Sequence, residues 1–178
     1  LAQRVVVLDA ASGRPVTDLA TPGAAPRPDH WRADPAYRQT VEAVADALSD
    51  VKRLGVAYSG GVDSAVLLAL SVRVLGRDRA LGLLADSPSL ARHELQIARS
   101  VAAQLGADVV EFATHEGDRP QYRANGADRC FYCKDELFTR IADEVRERHG
   151  LDAIAYGENA DDVLRPDRPG TRAATEHG

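Results

Sequence analysis

The sequence contains no methionine, two cysteines and one tryptophan among 178 residues, and aromatic residues make up only 5% of it. Cys130 and Cys133, three positions apart, cannot form the disulfide framework of a small secreted domain. They point to a reducing compartment and ask for a chemical explanation. Long apolar runs are also missing: the longest, residues 65–70, is far too short to span a bilayer, and no charged-then-apolar segment opens the chain. A cytoplasmic location with no membrane partner is therefore expected. Positive charge is scarce. The formal net charge of −5 and a pI near 5.5 give no general basic surface for nucleic acid, so an RNA substrate would need a local arginine patch. An opening at Leu1 and the lack of methionine suggest a piece of a longer protein.

With 44% hydrophobic and 28% charged residues, the chain suits one compact α/β domain with some extra segments. Residues 1–33 read as a short strand or hairpin followed by an Ala/Pro-rich linker. Asp34-Pro35 then supplies a helix N-cap with proline at the first helical position, and Val41, Val44, Ala45 and Leu48 form one apolar face. From there strand, helix and glycine stop recur, as right-handed crossovers in a parallel sheet would require. Strand 54–58 feeds a helix with Val66, Leu70 and Val74 in line, stopped at Gly76; strand 81–85 feeds one with Ile97, Val101 and Leu105, stopped at Gly106. Strand 108–112 is followed by a polar loop, 114–128, and a helix with Leu137, Ile141 and Val145 that stops at Gly150; strand 153–156 closes the series.

In such sheets ligands bind beyond the carboxyl ends of the strands, near the point where strand order reverses. Four segments should therefore converge: residues 59–64, residues 86–89, the Cys130 loop, and Gly157 onward. Ser59-Gly60-Gly61-Val62-Asp63-Ser64 joins a strand directly to a helix whose first N–H groups have no partner, which makes an anion cradle. The Gly-Lys-Ser/Thr ending of a Walker loop is absent, so Mg²⁺ held partly by Asp63 would have to neutralise phosphate charge. A glycine pair can simply permit a tight turn, but six positions in this context argue for more.

The remaining motifs are weaker alone. In Asp86-Ser87-Pro88-Ser89, Ser87 could cap a helix begun by Pro88, and capping would be a sufficient account of it. Cys130-Phe131-Tyr132-Cys133-Lys134 lets both sulfurs reach one metal or each other at a helix start, where thiolates are stabilised. Zinc would want two further ligands, and none of His30, His93, His115, His149 and His177 is an obvious partner. On spacing alone, a structural pair and a functional one are equally good accounts. Gly157-Glu158-Asn159-Ala160-Asp161-Asp162 sets three carboxylates past the last strand, where a metal and phosphates would sit, although solvated acidic loops are common.

The hexapeptide resembles the pyrophosphate-binding loop of the PP-loop ATP pyrophosphatases. Over residues 34–178 the chain is similar to one branch of that superfamily, the LarE sulfur transferases, through the loop and its strand, Ala85-Asp86-Ser87-Pro88-Ser89-Leu90, Tyr122 with Asn125, Arg129-Cys130-Phe131-Tyr132-Cys133-Lys134, Gly157 with Asn159-Ala160-Asp161-Asp162, and Arg168-Pro169-Gly170. The resemblance implies an α/β fold with a doubly wound, Rossmann-like parallel sheet of the PP-loop (HUP) type. It places the ATP-binding domain at 34–162 and the start of a truncated C-terminal segment at 163–178, the family's small C-terminal region being absent.

It also implies an activity. ATP adenylates a carboxylate of a pyridinium nucleotide, pyrophosphate leaves, and sulfur is inserted during synthesis of the nickel-pincer cofactor. Ser59, Gly60, Gly61, Asp63 and Ser64 would hold phosphates and metal, Ala85, Asp86 and Ser87 would border the adenosine, and Asn159 and Arg168 would touch the nucleotide. Asp63, Glu158, Asp161 and Asp162 would hold Mg²⁺, and Asp63, Cys130 and Cys133 would serve catalysis. Single-cysteine members sacrifice a cysteine in a C-terminal stretch that this chain does not reach. Other members carry a [4Fe–4S] cluster on three cysteines, and Cys130 and Cys133 would suit two of those ligands. A small-molecule nucleotide substrate and a homo-oligomer are expected.

Three alternatives remain open: an iron–sulfur-dependent tRNA thiolase of the same fold, disfavoured by net acidity; an NAD- or GMP-synthetase-like amide ligase, which would need no cysteine pair; and a truncated, non-catalytic ATP-binding module.

Overall fold

The structure, a computed structural model, describes residues 34–157 and Ala173. The expected segment 1–33, the tail expected from 163 apart from Ala173, and Glu158, Asn159, Asp161, Asp162 and Arg168 lie outside the described residues.

Helix α1 (Pro35–Ala47) starts as its sequence dictates: the Asp34 carboxylate accepts the Ala36 N–H at 2.8 Å, with proline at the first helical position. There follow β1 (Leu54–Ala57), α2 (Val62–Leu75), β2 (Ala80–Asp86), α3 (Arg92–Gln104), β3 (Asp108–Ala113), a short α4 (Pro120–Arg123) and α5 (Arg129–Arg140). The last of these runs through a π-turn (Ile141–Val145) into α6 (Arg146–Arg148), after which β4 (Ala153–Tyr156) completes the sheet. Gly76, Gly106 and Gly150 all stop helical segments at positive φ, as their spacing predicts.

The four strands lie in the order β3-β2-β1-β4, every neighbouring pair parallel. The chain thus winds outward from β1 through β2 to β3, then crosses back to place β4 on the other side of β1. Strand order reverses at β1, so a crevice opens between the carboxyl ends of β1 and β4. This is the doubly wound sheet the sequence pattern anticipates.

Alternation along β1 explains why helices cover both faces. Leu54, Val56 and Tyr58 enter one core with Val44, Leu67, Leu68, Leu95 and Ala98; Ala57 enters the other with Leu83, Phe138, Ile141 and Tyr156. One expectation fails in α3, where Ile97 is 54% exposed. The buried stripe is Leu95, Ala98, Val101 and Ala102, one position round from the stripe drawn through Ile97, because the tight approach of α3 to the sheet favours alanine over a larger side chain.

Leu68 is fully buried, whereas Ile97 stands in solvent. Leu68→Ala is expected to cost about 2–5 kcal/mol in chemical denaturation. Ile97→Ala should stay within about 0.5 kcal/mol; equal losses would refute the assigned faces of the helices.

Candidate functional site

Strand β1 ends at Ala57, and Tyr58 prolongs its ladder by donating its N–H to the Leu83 carbonyl at 2.9 Å. Ser59, Gly60 and Gly61 then carry the chain into α2. Gly60 has φ +80°, and a Cβ there would lie 2.7 Å from the Cβ of Ala98, so this position needs glycine twice over. Just below, the Tyr58 hydroxyl donates to the Ala98 carbonyl at 2.8 Å, and burial pushes its pKa up to about 12. Helix α3 therefore grips the turn from beneath.

The turn is also fixed from within by one consistent set of protons. The Ser64 hydroxyl donates to the Gly61 carbonyl at 3.0 Å and accepts the Ser59 N–H at 3.2 Å. With the Ser64 proton so used, the Ser59 hydroxyl donates to Ser64 Oγ at 3.2 Å and in turn accepts the Gly61 N–H at 3.3 Å. Ala65 is the first residue to bond back into the helix, to the Gly61 carbonyl at 2.9 Å. The N–H groups of Val62, Asp63 and Ser64 precede it and have no intrahelical acceptor, and Asp63 stands exposed in the same first turn.

Gly157, directly after β4, faces this helix end. A Cβ on it would meet the Asp63 carbonyl carbon and oxygen at 2.7 Å each and the Ser64 nitrogen at 2.9 Å. The chain beyond β4 thus leaves from contact with the phosphate-type turn, across the crevice where strand order reverses.

The second motif does not form the helix cap that its composition allows. Ser87 caps no helix: α3 begins at Arg92, and the Ala91 N–H bonds the Glu94 carboxylate at 3.2 Å instead. Residues 87–90 form a turn closed by the Leu90 N–H on the Ser87 carbonyl at 3.0 Å, because Pro88 starts a bend and not a helix. The Ser87 hydroxyl accepts the Ser89 N–H at 3.0 Å and donates to Glu116. Asp86 is held by Arg92 through two hydrogen bonds of 3.1 and 2.5 Å, and the guanidinium keeps its carboxyl below the usual range.

Glu116 was not anticipated from the sequence. It is 1% exposed, beside Thr114 at 4%, just past β3. Burial pushes its pKa up, but hydrogen bonds led by the one from Ser87 outweigh this and leave it below the ordinary value. Its Oε1 takes the Ser87 hydroxyl, which in turn lies 2.7 Å from the Ser89 hydroxyl, while its buried Oε2 and the buried Thr114 hydroxyl have no hydrogen-bond partner among the described residues.

These parts meet in a cavity of about 240 Å³. Ala57, Tyr58 and Ser59 line it from the end of β1; Leu84, Ala85 and Ser87 from β2; Thr114 and Glu116 from beyond β3; Cys133 and Leu137 from α5. Of the residues singled out in the sequence, the structure brings Ser59, Ala85, Ser87 and Cys133 onto its wall. Cys130 is exposed and is not part of this wall. The loop carrying α4 is tied to α5 by Arg119, which bonds Asp135 at 2.5 Å and the buried Glu136 at 2.8 Å, while Glu136 also accepts the His115 N–H at 3.2 Å.

The two cysteines, both free thiols, thus differ in setting. Cys133 is the fifth residue of α5, past the first turn in which a helix dipole acts. Burial pushes its thiol up, and the charges of Glu116 and Cys130 add to that against the smaller help of Arg129 and Lys134. The expected thiolate stabilisation at a helix start therefore does not reach Cys133. Among the described residues no group of three or more His, Cys, Asp or Glu could hold a metal ion, so the donor set here amounts to the two thiols.

Two measurements check this geometry. Gly157→Ala is expected to weaken binding of inorganic pyrophosphate about 10-fold or more, the worth of a hydrogen bond to a charged group. The Asp63 and Ser64 backbone cannot retreat from a methyl at 2.7 Å, and unchanged affinity in a folded variant would refute the contact. In a Cys130→Ser background, alkylation of Cys133 by iodoacetamide should be slow at neutral pH and should rise with a midpoint above that of a free thiol, about 8.5. A midpoint at or below that value would contradict the burial and charge described.

Known proteins resemble this chain in sequence and fold. A family model described as NAD synthase matches residues 37–129. The pyridinium-3,5-bisthiocarboxylic acid mononucleotide synthase of Lactiplantibacillus plantarum is 33% identical over 74% of this chain and 47% of its own length. An uncharacterized protein of Synechocystis is 36% identical over 78% of this chain and 50% of its own length. The chain thus spans about half the length of the curated relatives it matches. The glutamine-dependent NAD+ synthetase of Acinetobacter baumannii, solved with ADP, shares the fold with a TM-score of 0.58 at 18% identity, over 70% of this chain and 26% of that one. With the loop at Ser59–Ser64 in the setting described, the chain belongs to the NAD synthase family of PP-loop proteins, and within it to the LarE group.

Proposed function

We propose that the chain is the ATP-using part of an adenylating sulfur transferase. It would activate a carboxylate of a pyridinium mononucleotide with release of pyrophosphate, for sulfur insertion in nickel-pincer cofactor synthesis. One observation carries the reading: a single cavity is bordered by the phosphate-type turn at Ser59, the Ala85–Ser87 turn and the Cys133 thiol. A nucleotide anchored by its phosphates at the start of α2 would then have its activated carbon within the same enclosure as a sulfur nucleophile. The substrate class is carried over from the printed name of the Lactiplantibacillus relative.

The residues have separable tasks. The N–H groups of Val62, Asp63 and Ser64 would take β- and γ-phosphate oxygens and the charge that develops as pyrophosphate departs. The Ser59 and Ser64 hydroxyls hold the turn in shape before any ligand arrives, so the cradle needs little reorganisation. The absence of a side chain at Gly157 keeps the cradle open. Mg²⁺, when bound, supplies Lewis-acid neutralisation of the phosphates, and Asp63, exposed in the first turn of α2, fits as one of its ligands. The carboxylate oxygen of the acceptor attacks the α-phosphorus, pyrophosphate leaves, and the mixed anhydride presents an acyl carbon from which AMP is a good leaving group.

Cys133 lines the same cavity and would attack that carbon, forming a thioester as the bond to AMP breaks and passing its thiol proton to solvent, since burial holds it as a thiol until then. Cys130 and Cys133 would also offer two ligands to an iron–sulfur cluster, but the described residues add no third, and no step here runs through one.

The match to the NAD synthase model favours a second reading, an amide ligase in which ammonia attacks the adenylate. Exchange of labelled pyrophosphate into ATP, dependent on a pyridinium mononucleotide carboxylate, is the expected activity. Cys133→Ser should keep the exchange and lose sulfur transfer at least about 100-fold, the usual scale for removing a covalent nucleophile's contribution. Ammonia-dependent AMP formation indifferent to Cys133→Ser would establish the ligase, and absence of exchange with any pyridinium carboxylate would sink the adenylation reading.

A further inference from the structure

Glu116 is the buried ionisable group that the chemistry above leaves unused. It lies past β3 on the cavity wall and is 1% exposed. A carboxylate can accept about four hydrogen bonds. Oε1 takes one from the Ser87 hydroxyl; the Ser89 hydroxyl lies 2.7 Å from that of Ser87 and only 3.5 Å from Oε1. Thr114 and the Glu116 backbone stabilise the charge from nearby, while Oε2 has no donor at hydrogen-bond distance among the described residues. A buried carboxylate oxygen left without a donor is costly, and such a cost is retained where a ligand removes it. The walls on either side, Leu84, Leu90 and Leu137, are apolar and suit the faces of a flat heterocycle, and the buried Thr114 hydroxyl beside Glu116 is a second polar group on the wall without a hydrogen-bond partner among the described residues.

We propose that Glu116 is a specificity residue for the nucleoside: its spare acceptor capacity is taken up by a hydrogen-bond donor of the nucleotide that fills the cavity. The inference rests on the reading of the site as an ATP site. Phosphates at the α2 end fix one terminus of the ligand beside Ser59, and the cavity leads from there past Ala85 and Ser87 to Glu116. The part of a nucleotide that lies away from its phosphates carries two kinds of donor, the exocyclic amine of the base and the ribose hydroxyls. Either meets the carboxylate's need, and a ligand lacking the donor leaves it unmet, which is how a buried polar group rejects near-isosteres. The serine hydroxyls have a part in this: by occupying Oε1 they leave Oε2 as the acceptor and fix the carboxylate plane.

The test is a binding series on the wild-type chain with Mg²⁺, using ATP, purine riboside triphosphate, which lacks the amine, and 2′-deoxy- and 3′-deoxy-ATP, which lack one hydroxyl each. One of these analogues is expected to bind about 10- to 100-fold more weakly than ATP, the worth of a hydrogen bond to a charged group. Which analogue is penalised identifies the donor. In Glu116→Gln, where the amide presents a donor in place of Oε2, that ratio should fall toward one, a change that a merely structural role for Glu116 would not produce. Equal binding of ATP and all three analogues to wild type overturns the proposal and leaves the ATP site standing. A penalty that persists unchanged in a folded Glu116→Gln overturns it as well, and absence of ATP binding altogether overturns the parent reading and this one together.

Discussion

Everything in this site depends on two backbone contacts too close for a side chain. Gly60 sits on Ala98 of α3, and Gly157 sits on the Asp63 and Ser64 backbone at the start of α2, each with room for a hydrogen atom and not for a methyl. The first contact sets the height of the turn above the sheet, because the Tyr58 hydroxyl bonded to Ala98 anchors the same spot from the other side. The second sets the width of the crevice between β1 and β4. A sheet whose strand order reverses at β1 supplies such a crevice in any doubly wound fold, but only close packing keeps it narrow enough for unpaired helix N–H groups to face a bound anion.

Given that frame, the polar groups divide into those that build and those left available. Arg92 consumes Asp86, Arg119 consumes Asp135 and Glu136, and the Ser59–Ser64 network consumes its own hydroxyls. These pairings hold three loops in register. Among the described residues around the cavity they leave the first N–H groups of α2, the Asp63 carboxylate, the Thr114 hydroxyl, one oxygen of Glu116 and the Cys133 thiol. All of these belong to the carboxyl ends of the strands or to the helices beside them. Charge placement sharpens the contrast between the cysteines. Burial, and then the charge of Glu116 on the same cavity wall, raise the Cys133 pKa, whereas Cys130 is exposed at the helix surface, so a spacing that treats the pair as equivalent describes two different environments.

Much of this was legible in the sequence, for reasons that are physical. Glycine stops at Gly76, Gly106 and Gly150 and apolar runs between them mark crossovers unambiguously, and strand 153–156 is found where its composition puts it. The turn at residues 59–64 could be read because strand, glycine pair and helix are contiguous. Ile97 was misassigned because periodicity ranks side chains by hydrophobicity, while the close approach of α3 selects small ones such as Ala98 and Ala102. A cap at Ser87 is a natural account because Pro88 commonly opens a helix, yet its hydroxyl has a stronger partner 29 residues away in Glu116. Glu116 itself carries no local signature. A single glutamate in a polar loop looks solvated until the sheet order brings the end of β3 beside that of β2; its position three residues after Ala113 was the one available signal.

The sheet order also explains why segments far apart in the sequence line one cavity. Neighbouring strands lie about 4.8 Å apart, so the ends of β1, β2 and β3 span about 10 Å in steps that the backbone fixes. The turn at Ser59 stands at the first step, the Ala85–Ser87 turn at the second and Glu116 at the third, with Cys133 on the same cavity wall from α5. A molecule that meets all of these must carry negative charge at one end and a flat apolar body with a hydrogen-bond donor at the other. That description follows from the order of the strands and the residues after each, and a nucleoside phosphate satisfies it.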